Sequence, residues 1–411
     1  MGYKNFGLGK YDINNLPAET NWQKALYRTA PLQRYELSFS GGTEKLKYML
    51  SGGFTAQDGV IINTDFKRYS LRSNIENIFS NWLTVGTNIS ATRIDSNQAG
   101  DGGLGTESPI SRILVATPII PIYKEDGSYE QYVDIEGKRE NPYASIREMT
   151  NNDVRNRFLS NLYANITFLP GLIMRPNFAI DYVNSNSYAY VPSYIAEGRT
   201  DNGSATMGTR NQLYWDFTNT LSYMKTFNEI HNITGMLGLE FQKSEVIGNN
   251  ARGTQFTNDN SKYYNLGQAS VYTTNSSYSA WQMESYFARF IYSLKDKYIV
   301  TLTGRIDGSS RFGDNNKYAR FPSAAFAWRL KEENFLRDAQ FLSNLKLRAS
   351  YGISGEQGIP LYQTFSSLNS TNVWMNQVLY TGFYPARSAD PNLRWEKTRQ
   401  FDFGVDAGFL D

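Results

Sequence analysis

The sequence has no cysteine and a single histidine among 411 residues. The first absence excludes disulfides and thiolate metal sites. The second leaves no two-histidine metal site, and any acid–base or nucleophilic scheme that needs an imidazole must use His231. No stretch approaches the roughly 18 to 20 consecutive apolar residues of a membrane helix. Charge of either sign is also not in excess: 41 Lys and Arg face 39 Asp and Glu, so the basic stripe of a nucleic-acid binder is missing. The opening "MGYKNFGLGKYDINN" has neither the basic region nor the apolar core of a secretory leader. For a protein that works outside the cytoplasm, this predicts that the chain lacks its beginning.

What the sequence does have is alternation. In "KYIVTLTGRIDG" (297–308), Tyr298, Val300, Leu302 and Ile306 are apolar, while Thr301, Thr303, Arg305 and Asp307 between them are polar. A period of two is a β-strand with two unlike faces. The pattern recurs through Tyr35, Leu37 and Phe39, then Leu46, Tyr48, Leu50 and Phe54, and on to Phe401, Phe403, Val405 and Phe409. About thirteen such strands are expected, several longer than the ~5 to 6 residues usual in soluble sheets. The fold class is therefore all-β.

Connections sort by length. Short turns at 41–44, 80–81, 170–171, 227–229 and 295–297 alternate with long polar loops near 57–65, 95–152, 184–210, 246–280, 308–320 and 355–396. The connection 331–344 has room for a helical turn. Tight turns on one side and large loops on the other mark a transmembrane antiparallel β-barrel. Phe79, Trp82, Phe168, Phe227 and Trp328 beside the short turns suit an interfacial aromatic girdle, although aromatics favour strands in any setting. The expected domain division is an external segment 1–32 with a short helix, then barrel strands over 33–411. In this arrangement the apolar faces meet lipid and the polar faces a wet lumen. An odd strand count, beginning and ending on opposite sides, predicts part of a larger barrel, because single-chain bacterial barrels have even numbers.

Candidate functional residues follow from the faces. The charged residues Arg68, Arg72, Glu76, Arg155, Arg157, Asp181, Arg305, Asp307, Arg329, Lys346 and Arg348 fall on the proposed lumen face, where charge is cheap. They read as a hydrated wall or as a path that cargo touches. Trp374, in the long loop 355–396, is a candidate external contact for a sugar ring or a partner. Elsewhere the signals are bland. "GDGGLGTES" (100–108) lacks the lysine and hydroxyl of a phosphate loop, "DNN" (314–316) lacks EF-hand spacing, and His231 sits beside a short turn. No catalytic set and no cofactor are expected.

Several blocks carry a family resemblance. "NWQKALYRTAPLQRYELSFSGGTEKLKYMLSGGFTAQDGVI" (21–61), "FKRYSLRSNIENIFSNWLTVGTNIS" (66–90), "YSLKDKYIVTLTGRIDGSSRFGDNNKYARFPSAAFAWRL" (292–330), "LKLRASYGISGEQGI" (345–359) and "DPNLRWEKTRQFDFGVDAGFL" (390–410) resemble the SusC/RagA-type TonB-dependent outer-membrane transporters. The resemblance implies a barrel of about 22 strands with an N-terminal plug, of which this chain would be a central piece without the plug. It also implies a Gram-negative outer-membrane location, outer-membrane lipid around the wall, and a TonB complex acting through the N-terminal region. A SusD-like surface lipoprotein would be the partner, and oligosaccharide or peptide the cargo. The alternative is a secreted all-β glycan-binding or adhesion protein, which predicts apolar faces packed into a dry core.

Overall fold

The structure is a computed structural model and describes residues 18–99, 108–134 and 136–409. The glycine-rich run 100–107 and the first 17 residues lie outside the described residues. Thirteen strands form one antiparallel sheet in chain order. They are β1 (Leu32–Gly42), β2 (Leu46–Asp58), β3 (Asp65–Ser80), β4 (Leu83–Asn97), β5 (Thr150–Leu169), β6 (Leu172–Val191), β7 (Ser204–Phe227), β8 (His231–Phe256), β9 (Ala269–Leu294), β10 (Tyr298–Ser309), β11 (Tyr318–Arg329), β12 (Leu342–Glu356) and β15 (Glu396–Phe409). Two further strands, β13 (Ser367–Met375) and β14 (Val378–Arg387), make a separate hairpin between β12 and β15. Each strand of the large sheet pairs with its sequence neighbours, and β1 and β15 are its two edges. The sheet is open, as in part of a barrel.

Opposite residues in an antiparallel ladder share a face, so the register fixes which side every residue is on. One row runs Leu172, Tyr223, Gly235, Phe290, Leu302, Ala324, Tyr351, Phe401 across eight strands. It is apolar throughout, and it is not packed against anything: Leu302 is 49% exposed and Phe401 69%. Leu37, Leu71, Leu162 and Leu237 on the same face are likewise exposed. In a sandwich these side chains would form the core. Here the apolar face points away from the protein, as a lipid-facing wall requires.

The apolar belt has a definite outer limit. On β8 the outward residues from Ile233 to Phe241 are apolar or glycine, and Lys243 and Glu245 follow. On β4 to β7 the outward row Arg93, Asn156, Asn184, Asn211 lies just beyond the belt. Its amides form a chain: Asn156 Nδ2 donates to Asn184 Oδ1 (3.3 Å), and Asn184 Nδ2 to Asn211 Oδ1 (2.7 Å). About nine to eleven tilted residues cross a bilayer, whereas β8 and β9 have 26 each. Much of the wall therefore stands beyond the belt.

This extension shortens two expected loops. The loop expected at 184–210 is only 192–203, and the one expected at 246–280 only 257–268, because β6 to β9 continue on both sides. Beyond the belt both faces are wet, so the strands carry Asn, Ser, Thr and Gly and lose the apolar side that marks a strand. The region 95–152 holds two short helices, α2 (Pro109–Val115) and α3 (Pro142–Glu148), and 355–396 holds the β13–β14 hairpin. The connection 331–344 begins in a 3-10 turn at Leu330–Glu332. In the segment before β1, α1 (Trp22–Leu26) is capped by the Asn21 side chain. No helix among the described residues is long and apolar enough to cross a membrane.

The buried clusters sit at the long-loop end. Trp22 and Leu26 pack with Ile113, Val133 and Ile146; Tyr190 packs with Ala205, Phe256 and Ala269; and Phe312 with Ala319, Phe321 and Trp395. They fold the loops down on the strand tips. At the short-turn end a carboxylate gathers the girdle instead. Glu333 accepts from Tyr298 Oη (2.5 Å), Trp328 Nε1 (3.1 Å) and Lys297 Nζ (3.2 Å), with the Tyr298 and Trp328 rings stacked at 6.1 Å.

Two adjacent positions on β10 test the assignment of faces. Leu302→Arg should cost about 2 to 4 kcal/mol in unfolding from lipid vesicles. Thr303→Arg, on the other face, should cost well under half of that. Equal penalties would contradict the two-faced wall.

Candidate cargo path and partner surface

All eleven charged residues singled out from the sequence lie on the polar face opposite the belt, by register. They fall into groups at different heights. Near the short turns, Arg329 pairs in register with Lys346 and Lys346 with Asp406; Arg348 Nη2 reaches Asp406 Oδ1 at 2.8 Å.

At mid-height one row runs Glu76, Gly86, Tyr163, Asn177, Thr218, Glu240, Ser285, Asp307. Tyr163 Oη donates to Glu76 Oε2 at 2.8 Å. It reaches across β4 because Gly86 has no side chain; a Cβ there would lie 2.3 Å from the Tyr163 ring. Arg175 covers the other side of that ring at 4.5 Å. At the row's far end, Arg305 joins two carboxylates, Glu240 Oε2 and Asp307 Oδ1, each at 2.6 Å, and stands 5.1 Å from the Phe287 ring centroid. Gly238 makes room for that ring as Gly86 does for Tyr163: a Cβ would lie 2.2 Å from it. Charge here is compensated within the wall.

Higher up the balance changes. Arg157 is neutralised by Asp181 through two bonds of 2.8 and 2.6 Å. The next inward row beyond it runs Arg34, Thr55, Arg68, Ile94, Arg155, Ser185, Arg210, Gly248, Ser277. Arg34 pairs with Glu36 at 2.9 Å. Arg68, Arg155 and Arg210 are exposed and have no ion pair or side-chain hydrogen bond among the described residues. Sequence reasoning found Arg68 and Arg155 but missed Arg34, Arg210, Tyr163, Glu240 and Asp406. Arg210 was missed because its segment read as loop. The others lacked a signal until register aligned them.

The loop end is rigidly built. Arg112, 8% exposed, bridges Glu197 (2.6 Å) and Glu140 (3.2 Å), and Ser145 Oγ also donates to Glu197. Asp259 accepts from Tyr190 Oη, from the Ser193 backbone N–H (2.9 Å) and from Ser193 Oγ (2.7 Å). Partial burial pushes the Asp259 carboxyl up, but these donors outweigh it and hold it below the usual carboxylate range.

Trp374 lies one residue before the end of β13, next to the two-residue turn of the hairpin, and is 69% exposed. Asn376 and Gln377 form that turn with φ of 48° and 64°, as a type I′ connection requires. Leu368, Met375, Leu379, Tyr380 and Phe383 are exposed as well. Arg387 secures the base, donating to the carbonyls of Tyr362 (2.6 Å) and Phe365 (3.2 Å). A two-stranded hairpin is marginal alone, and an apolar one of this kind marks a contact surface. His231 Nδ1 and Tyr292 Oη lie 2.7 Å apart at the short-turn end, far in sequence from the loop clusters.

A wall that is apolar outside, charged inside and heavily looped at one end defines the class: part of a membrane β-barrel. The model of the TonB dependent receptor-like β-barrel family matches residues 6–411, and the chain belongs to that family. It is 35% identical over 403 residues to TonB-dependent receptor P26 of Formosa agariphila, covering 95% of this chain and 39% of that protein. To TonB-dependent receptor SusC of Bacteroides thetaiotaomicron it is 28% identical over 425 residues, covering 96% and 41%. The solved RagAB peptide transporter superposes with a TM-score of 0.83 at 26% identity, over 98% of this chain and 46% of that one. The chain thus spans about two fifths of the length of these curated relatives.

Two loop-end changes should separate charge from packing. Arg112→Met leaves two partly buried carboxylates without their cation and should cost about 2 to 3 kcal/mol, below the range for a fully buried pair, read as proteolysis within 108–149. Asp259 stabilises its loop fully above about pH 4 and loses that contribution as pH falls through its depressed folded value. Loop 257–268 should therefore become protease-sensitive in acid. Asp259→Asn should be equally sensitive at about pH 2 and at about pH 7, where the wild type should differ.

Proposed function

We propose that this chain forms the wall and external loops of an outer-membrane receptor that imports oligosaccharide or peptide. Energy would come through TonB, and a SusD-like surface lipoprotein would be the partner at the loop end. The observation that carries the reading is the exposed apolar belt, backed by an inward face that concentrates charge. Family membership supports it, as does the likeness to SusC and to the RagAB peptide transporter. A secreted adhesion domain would have to hide the belt in a core.

The two proposed surfaces divide the work. The inward face contacts cargo and, at the mid-height row, whatever fills the lumen. The β13–β14 hairpin offers the lipoprotein an apolar arm with Trp374 at its tip. Aromatic anchors of this kind dominate binding energy at protein interfaces.

Two measurements test the reading. Uptake of labelled oligosaccharide or peptide by cells expressing the complete receptor should stop when TonB is deleted; uptake that persists would refute energy coupling. Trp374→Ala should weaken copurification of the surface lipoprotein about tenfold or more, the size expected for an interface hot spot. Unchanged recovery would move the partner surface elsewhere.

A further inference from the structure

The inward arginine row combines three features. First, it repeats. Arg34, Arg68, Arg155 and Arg210 occupy one register row on β1, β3, β5 and β7, every second strand. Neighbouring strands are about 4.8 Å apart, so successive arginines recur roughly every 9.5 Å around the wall. Second, three of its four arginines are unpaired: Arg68, Arg155 and Arg210 have no carboxylate partner among the described residues, as is also true of Arg72 and Arg289 lower on this face, whereas Arg34, Arg157, Arg305 and Arg348 each have one. Third, it lies beyond the lipid belt. Over β4 to β7 the outward row next to it is Arg93, Asn156, Asn184 and Asn211, past the apolar belt; over β1 to β3 the same row is Tyr35, Phe54 and Tyr69, rings suited to the rim of the belt. The row therefore faces the external vestibule.

A groove of about 530 Å³ opens at its β5–β9 end, lined by Arg155, Arg210, Ser185, Asn250, Asn275 and Ser277. Gly248 keeps the floor thin between Arg210 and Ser277 in the row. The carboxylate in that lining, Asp153, accepts from Gln98 Nε2 at 3.5 Å. Amides and hydroxyls beside guanidinium groups suit a ligand with many hydroxyls and regularly spaced anionic groups. Apolar side chains are few here: among the described residues Ile94 is the one on the row from Arg34 to Ser277, and Val154 is the one lining the groove.

We propose that this row is a track for anionic oligosaccharide cargo, glycans bearing sulfate or uronate groups, with Arg68, Arg155 and Arg210 as the anion contacts. The inference rests on the transporter reading and narrows its cargo class. A spacing near the length of a disaccharide lets alternate sugars present their charges to successive arginines while the ring hydroxyls meet the Asn and Ser side chains.

The test uses the complete receptor, purified with its lipoprotein, and three probes: chondroitin sulfate hexasaccharide, maltohexaose and hexaglutamate. The sulfated probe should bind most tightly, and more weakly as salt rises. Arg68→Gln, Arg155→Gln and Arg210→Gln should each weaken it about tenfold, and the lysine variants should restore part of the loss. Heat-modifiable migration verifies that each variant has assembled. Any one of three results would overturn the proposal: no binding of the sulfated probe, glutamine variants that bind it as well as the wild type, or tighter binding of hexaglutamate or maltohexaose. The transport reading is read out separately. Arginine-dependent binding without TonB-dependent uptake would sink transport and leave the track standing; TonB-dependent uptake of another cargo, untouched by the arginine variants, would do the reverse.

Discussion

Every feature of this wall depends on the backbone ladder. In hydrocarbon no water satisfies an N–H or C=O, so each strand must pair with both neighbours. Consecutive antiparallel pairing does this with short turns and no crossovers, and β1 to β12 follow it without exception. Once the ladder is set, side chains have no freedom of side: they alternate. That alternation turns thirteen separate segments into two continuous surfaces. It also places Arg34 and Ser277, more than two hundred residues apart in sequence, on one row.

Stability is distributed accordingly. A soluble domain buries its apolar side chains against one another, whereas this sheet leaves Leu37, Leu237 and Phe403 bare. Lipid replaces the core. Packed clusters reappear where lipid ends, around Trp22, Tyr190 and Trp395, because loops in water need a core of their own. The three clusters also hold the loop end in shape, so that the upper wall and its groove are framed by packed structure.

The alternation at 297–308 was legible in the sequence, as were the thirteen strands of the sheet and the sorting of loop lengths, because a half-apolar strand leaves a strong period-two signal. The upper parts of β6 to β9 were not legible. Wet on both faces, "NSNSYAYV" and "IGNNARGTQF" carry the composition of loops although their backbones are fully laddered. The β13–β14 hairpin was missed for a different reason. Its turn is Asn-Gln rather than Asn-Gly, and Gln377 takes a positive φ that its residue type does not announce. Which residues share the polar face could be read from parity alone. Which of them share a height could not, since a row spanning nine strands needs every register between them, including irregularities such as that near Ser80 in β3.

Height matters because it decides whether a charge is already spent. Arg305 is held between Glu240 and Asp307 and against an aromatic ring, an arrangement that fixes the wall and leaves little for a ligand. Arg155 and Arg210 are of the same residue type on the same face, yet they stand unpaired beside a groove. In a cleft lined by one sign of charge, field lines concentrate toward the low-dielectric wall, raising the local concentration of oppositely charged solutes. The carboxylate-bound Arg305 at mid-height and the unpaired Arg155 and Arg210 above it therefore differ in the attraction they leave for an anion. On the proposed reading, anionic cargo would be drawn to the vestibule, and Arg305, already bound by its own carboxylates, would add no matching attraction deeper in. If the row is an anion track, charge placement would by itself favour binding at the mouth over binding at the Arg305 row.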